Sequence, residues 1–124
     1  MRKTTLVLAL FCALSFAQQE AMEKLEREAK KWQKSTNCWE PYKSVESKYF
    51  TFKGIEKLIA QTGACDLSWT ATSKMKIGLC PAKSVWKMTS WYDEGSRTGE
   101  NETPAECKSI TPKIITNHKF NEFE

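Results

Sequence analysis

Histidine and clustered cysteine, on which much enzyme and metal chemistry depends, are scarce in this chain. Its 124 residues include one histidine, His118, and five cysteines, no two of which lie at Cys-x-x-Cys spacing. Structural zinc sites usually need such pairs or several histidines. Nucleophilic catalysis needs a base within hydrogen-bond reach of the nucleophile, and a single histidine offers little choice. We therefore expect no enzyme activity, no metal site and no cofactor.

Long apolar runs are also rare, and the one present lies at the start of the chain. It extends from Leu6 to Phe16, follows two basic residues and closes on small residues that end at Ala17. This pattern is typical of a cleaved secretory signal peptide, and the run is too short to span a bilayer. We predict a signal peptide at residues 1–17 and a single secreted, extracellular domain at 18–124, without a membrane span and monomeric.

Charge of one sign is not in large excess. The chain has 19 basic and 15 acidic residues, a formal net charge of +4, and two of the basic residues belong to the predicted signal peptide. The remaining excess is too small to predict nucleic-acid binding, and binding to a membrane surface would need a clustered basic face. A protein partner is the expectation that remains.

Residues 18–35 predict an amphipathic helix. Four apolar residues recur at spacings of three, four and three, which places them on one face: Met22, Leu25, Ala29 and Trp32. Lysines concentrate in the last turn, where they complement the helix dipole. We expect this N-terminal helix to pack on a sheet.

Strand patterns fill the middle of the chain. From Leu67 to Leu79, apolar and polar residues alternate with the period of a sheet that has one buried face. Residues 85–92, VWKMTSWY, predict another strand, and residues 48–63 favour one, although a short helix or a bulge at Gly54 is also compatible with them. Residues 93–106 carry no large apolar side chain and predict a surface loop.

The segment 65–80 is too long for one strand, which would extend about 50 Å at ~3.3 Å per residue. We therefore predict a hairpin with residues 67–71 on one arm and Ile77 onward on the other. Four cysteines follow the signal peptide, an even number in an oxidising compartment. The hairpin favours a Cys65–Cys80 disulfide, which leaves Cys38–Cys107 as the second.

The sequence Asn101-Glu102-Thr103 is an N-glycosylation sequon, so Asn101 is a predicted glycan site. Together these features predict an α+β fold in which an N-terminal amphipathic helix packs on a curved antiparallel sheet stabilised by two disulfides. Binding is the functional class that such a domain supports, with contacts made by the hairpin tips, which we expect near residues 59–63 and 89–92.

The order of helix, long strand ending at Gly63, and the run LSWTATSKMKIGLCPAKSVWKMTSW resembles the cystatins over residues 48–91. The resemblance implies a cystatin-like fold and non-covalent occlusion of the cleft of a papain-like cysteine protease. It assigns the second inhibitory loop to Ser90 and Trp91. Gly63 and Trp91 are identical to the residues that the family has at these positions. It assigns the first loop to five partner-binding residues: Ile59, Ala60, Gln61, Thr62 and Gly63. The alternative is a secreted, non-inhibitory binding or effector module, of venom, salivary or defence type, with the same fold.

Overall fold

The structure, a computed structural model, describes residues 14–35, 42–58, 65–93 and 96–117. Within these ranges one long helix packs on a five-stranded antiparallel sheet. The elements in chain order are α1 (Phe16–Lys34), β1 (Val45–Glu46), β2 (Phe50–Leu58), β3 (Cys65–Ser73), β4 (Val85–Asp93), β5 (Ser96–Glu102), a 3-10 helix (Ala105–Ile110) and α2 (Lys113–Thr116). No helix in this part of the chain is long and apolar enough to span a membrane.

Helix α1 confirms the predicted helix and begins two residues before it. Ser15 and Gln18 form a capping box, in which each side chain bonds to the backbone N–H of the other residue. These bonds satisfy two polar groups that the first helical turn leaves unpaired. The predicted apolar stripe lies against the sheet: Leu25, Ala29 and Trp32 are buried.

The sheet is a meander in which each strand pairs with its neighbours in the chain, in the order β1-β2-β3-β4-β5. Leu58 pairs with Cys65, and Asp93 pairs with Ser96, so β2 and β4 end, and β3 and β5 begin, at one end of the sheet. We call this the β2–β3 end. The connection of residues 74–84 joins β3 to β4 at the opposite end, which we call the β3–β4 end.

The core lies between α1 and the face of the sheet that it covers, the inner face. Four buried aromatic rings pack in a row across three strands: Phe50 against Phe52 and Trp86, and Phe52 against Trp69. The segment after β5 closes one side of this core, since Ile110 and Ile115 are buried and the Trp86 indole donates to Thr111. Large aromatic side chains bury the most area per residue, which allows a domain of this size to form one core.

The predicted alternation is confirmed along β3, where Leu67, Trp69 and Ala71 are buried and their neighbours are half-buried. The tendency of residues 48–63 to form a strand is confirmed in β2. The register of β2 with β3 is continuous through Gly54, which pairs with Trp69, so neither a bulge nor a short helix interrupts it. Gly54 has another role, because a Cβ atom there would lie 2.8 Å from Cδ2 of Tyr42.

The second arm of the predicted hairpin is wrong, and so are both predicted disulfides. After Ser73 the chain forms a tight turn from Ile77 to Cys80 at the β3–β4 end, and the strand that pairs with β3 begins at Val85. Cys65 starts β3 at the other end, about 26 Å away at ~3.3 Å per residue, beyond disulfide reach.

The disulfide observed is Cys80–Cys107, which ties the turn at the β3–β4 end to the 3-10 helix. Cys107 is therefore not bonded to Cys38. Cys65 is also disulfide-bonded, with a partner outside the described residues.

The predicted surface loop at residues 93–106 is also wrong. Residues 96–102 form β5, which pairs with β4 from Lys87 to Asp93. An edge strand needs only backbone partners on one side, so it forms without the apolar alternation that marks a buried strand. The 3-10 helix that follows buries Cys107 and Ile110.

Candidate functional site

The five residues predicted for the first loop, 59–63, lie outside the described residues. The residues that border this segment are described. Leu58, the last residue of β2, pairs with Cys65, and 62% of Leu58 is exposed. Ile55, on the outer face of β2, is exposed to a similar extent. Two large apolar side chains therefore lie exposed towards the β2–β3 end.

The second predicted pair lies close to the same end, but in a strand. Ser90 pairs with Leu67 on one side and Gly99 on the other, and Trp91 pairs with Thr98. The prediction that residues 89–92 form a hairpin tip is therefore wrong, because β4 continues to Asp93 before the chain reverses.

The environments of these two residues differ. Ser90 is fully buried on the inner face, whereas Trp91 is half-buried on the outer face. Next to this pair, a side chain of β3 bonds to the backbone of β4: Oδ1 of Asp66 accepts a 3.1 Å hydrogen bond from the backbone N–H of Tyr92. Trp91 is thus the one of the pair whose side chain is accessible to a partner.

A buried acidic group that was not predicted lies on α1. The side chain of Glu28 is fully buried. Its Oε1 accepts a 2.7 Å hydrogen bond from the Tyr42 hydroxyl, and its Oε2 lies 3.0 Å from Nζ of Lys31 and 3.2 Å from Nζ of Lys24. The sequence contained a signal for it, because Glu28 falls inside the apolar stripe, three residues after Leu25.

The partners of Glu28 determine its protonation. Burial raises the pKa of Glu28, but the hydrogen bonds from Tyr42, Lys31 and Lys24 together outweigh burial and lower the pKa below its ordinary value. Burial, followed by the hydrogen bond to Glu28, raises the pKa of Tyr42. At neutral pH the carboxyl is ionised and the phenol is protonated, which is the combination that the hydrogen bond requires.

This cluster is structural rather than catalytic in its geometry. Every oxygen of the Glu28 carboxylate has a donor, so the group is not free to accept a proton from a substrate. An open cavity of about 410 Å³ lies beside it, lined by Glu28, Tyr42 and the lysines 31, 34 and 43. In the described part of the chain no three histidine, cysteine or acidic side chains are grouped so as to bind a metal.

The predicted glycan site lies on the edge strand. Asn101 pairs with Met88, whose side chain is buried, so the two side chains share the inner face. Asn101 itself is half-buried. Its position at the sheet edge, rather than in a loop, is a consequence of β5.

Comparisons of the chain with protein-family models, with curated proteins and with solved structures give no match.

Proposed function

We propose that the protein is a secreted, cystatin-like binding protein that occludes the active-site cleft of a papain-like cysteine protease without reacting with it. The observation that carries the proposal is the β2–β3 end. The termini of four strands and the exposed Leu58 lie together there, and Leu58 is on the inner face because it pairs with the buried Cys65. Such an end can enter a cleft edge-first. Large aromatic side chains such as Trp91 carry much of the energy in contacts of this kind, and the exposed Leu58 adds apolar area that a partner can bury.

Trp91 and Leu58 have different roles in this proposal. Leu58 ends its strand and is more than half exposed, so its side chain is free to enter a partner's pocket. Trp91 presents a half-buried ring on the outer face, close to the same end. Ser90 contributes through the sheet rather than by contact, because it is fully buried.

The proposal includes export and two disulfides. The signal peptide at residues 1–17 would be removed, together with the Ser15 cap and the first two residues of α1, which leaves four cysteines. Cys80 and Cys107 are bonded to each other, and Cys65 is also disulfide-bonded, so Cys38 is the partner that we propose for Cys65. Glycosylation of Asn101 belongs to the same proposal.

Occlusion without reaction makes a direct prediction about the protease. A papain-like protease whose catalytic cysteine is replaced by alanine should bind the protein as well as the active enzyme does, because no bond to the cysteine forms. Binding is measured by titration calorimetry with each form. A requirement for the reactive cysteine would contradict occlusion.

The burial of Ser90 favours a second candidate, a secreted non-inhibitory binding or effector module that uses the same end of the sheet. With Ser90 inaccessible and Trp91 held in a strand, the second inhibitory loop of the cystatins has no direct equivalent among the described residues. A folded protein that binds neither form of the protease would support this candidate over inhibition.

A further inference from the structure

We propose that one side of α1 is a binding surface for a linear, sulfated polysaccharide. Four basic residues recur along this side of the helix at spacings of three, four and three: Lys24, Arg27, Lys31 and Lys34. Lys43 and Lys48, in the segment around β1, lie across two cavities from them. We call these six residues the cationic seam.

The seam concentrates the charge of the protein. Its two cavities, of about 410 and 200 Å³, are lined by all six basic residues and by two acidic ones, Glu20 and Glu28. Without Arg2 and Lys3 of the predicted signal peptide, 17 basic and 15 acidic residues remain, a net charge of +2, so the excess of four around the seam is larger than the net charge of the secreted domain. The low net charge therefore concealed a clustered basic face, which attracts anions far more strongly than dispersed charge does.

Most of these charges are available to a ligand. Lys24 and Lys31 are engaged with the buried Glu28. Within the described ranges, the other four make no ion pair, and all four are exposed: Arg27, Lys34, Lys43 and Lys48. Nζ of Lys48 lies 5.2 Å from the centre of the Tyr49 ring, and the Lys48 side chain is exposed. The acidic group at the floor of the larger cavity is already neutralised by its own partners.

The shape of the seam favours a long ligand over a small anion. Lys24 and Lys34 are ten residues apart, which corresponds to about 15 Å along the helix axis at ~1.5 Å per residue. Two separate open cavities follow this line, one beside each half of the helix. A ligand that carries charges at intervals along a single chain would satisfy them all, whereas one phosphate or sulfate ion would contact only one group.

Other polyanions fit less well. Single-stranded nucleic acid binds by stacking its bases on exposed aromatic rings. The two tyrosines that line the cavities, Tyr42 and Tyr49, are buried, and their hydroxyls donate hydrogen bonds to Glu28 and Glu20. Duplex DNA is read by an element that enters its major groove, whereas the seam lines cavities between α1 and the segment around β1. Among the exposed large apolar residues of the described chain, only Phe16 belongs to α1, and it lies within the predicted signal peptide, so an anionic membrane would gain no apolar anchor from the seam.

Heparin chromatography and titration calorimetry with a heparin oligosaccharide test the proposal on the full protein. We expect salt-dependent binding that weakens by about tenfold or more when Arg27, Lys34, Lys43 and Lys48 are all changed to glutamine, since four exposed charges that pair with the ligand are lost together. The matched control also changes four lysines to glutamine, Lys53, Lys57 and Lys87 on the outer face of the sheet and the exposed Lys76 at the β3–β4 end. Neither the seam variant nor the control changes Lys24 or Lys31, so both variants keep the ion pairs of Glu28 and the fold.

Three results would overturn the proposal. One is no heparin binding at physiological salt, and another is an equal loss of affinity in the seam variant and the control. The third is binding of a 20-base-pair DNA duplex that is as tight as heparin binding at the same salt concentration, since this would indicate a general polyanion surface. The seam shares no residue with the β2–β3 end, so protease binding and heparin binding succeed or fail independently.

Discussion

The Tyr42 hydroxyl donates a 2.7 Å hydrogen bond to Oε1 of Glu28, and this buried bond fastens the segment before β1 to the centre of α1. The two residues are 14 positions apart in the chain. The Tyr49 hydroxyl donates a similar hydrogen bond to Glu20, whose side chain is exposed to solvent. The pair of bonds aligns the helix with the first strands of the sheet.

Removing the Tyr42 hydroxyl should destabilise the protein much more than removing that of Tyr49. Tyr42→Phe deprives a buried carboxylate of one donor, which costs about 1–3 kcal/mol. Tyr49→Phe leaves Glu20 in contact with water and costs about 0.5 kcal/mol. Urea unfolding of both variants measures the difference. Equal free energies of unfolding would show that Glu28 does not depend on its buried partner.

The ionised Glu28 should make the free energy of unfolding depend on pH in the acidic range. Its folded-state pKa is lowered, so its contribution is present above the ordinary value of 4.5 and is lost as the pH falls through the folded-state pKa. Glu28→Gln should therefore be less stable than the wild type at pH 7 and closer to it in strong acid. Thermal unfolding between pH 2 and 7 measures this.

Glu46 provides the control for that experiment. Its pKa is also lowered, chiefly by the hydrogen bond from Lys74, but its carboxylate is exposed to solvent. Glu46→Gln should change the pH dependence much less than Glu28→Gln. The expectation for Glu28 is wrong if the two variants show the same profile.

Gly54 should not tolerate even one added methyl group. A Cβ atom there would lie 2.8 Å from Cδ2 of Tyr42 and 3.2 Å from its carbonyl oxygen. Gly54→Ala should destabilise the protein by about 1–3 kcal/mol, as overpacking does. In a Tyr42→Ala background the closest contact is gone, so the cost should be smaller. In open space the substitution would instead stabilise the strand by about 0.5–1 kcal/mol, and that result would contradict the close approach.

The Cys80–Cys107 disulfide closes a loop with a sequence separation of 27 residues. Changing both cysteines to serine should lower the free energy of unfolding by about 3–4 kcal/mol on the chain-entropy estimate. Mass spectrometry of the unreduced, digested protein should recover a peptide pair that contains Cys80 and Cys107. A pair that joins Cys65 to either of them would refute the observed connectivity.

How far the sequence predicted this fold depends on the type of signal that each element carries. Helix α1 and strand β3 have apolar periodicity that reflects a buried face, so both were predicted from their residues. Strand β5 consists of polar residues and one glycine, and it forms because β4 offers backbone partners, which no local pattern reveals. The Cys80–Cys107 bond depends on where the chain turns after Ser73, a property of tertiary packing rather than of spacing.

The candidate site was predicted less completely than the fold. Trp91 was identified, but its position in a strand follows from the register of β4 with β5. The cationic seam was missed because the net charge averages over the chain, and only the placement of Lys43 and Lys48 beside α1 brings six basic groups together.

The central claim is tested most directly by measuring how strongly the wild type, and two variants that each carry a new charge at one end of the sheet, inhibit a papain-like protease. Leu58 lies at the β2–β3 end and is 62% exposed, while Leu79 lies at the β3–β4 end and is 83% exposed. We expect micromolar wild-type protein to inhibit, Leu58→Glu to weaken inhibition by about tenfold or more, and Leu79→Glu to leave it unchanged. Trp91→Ala should also weaken it. Absence of inhibition by the wild type, or an equal effect of Leu58→Glu and Leu79→Glu, would contradict the account.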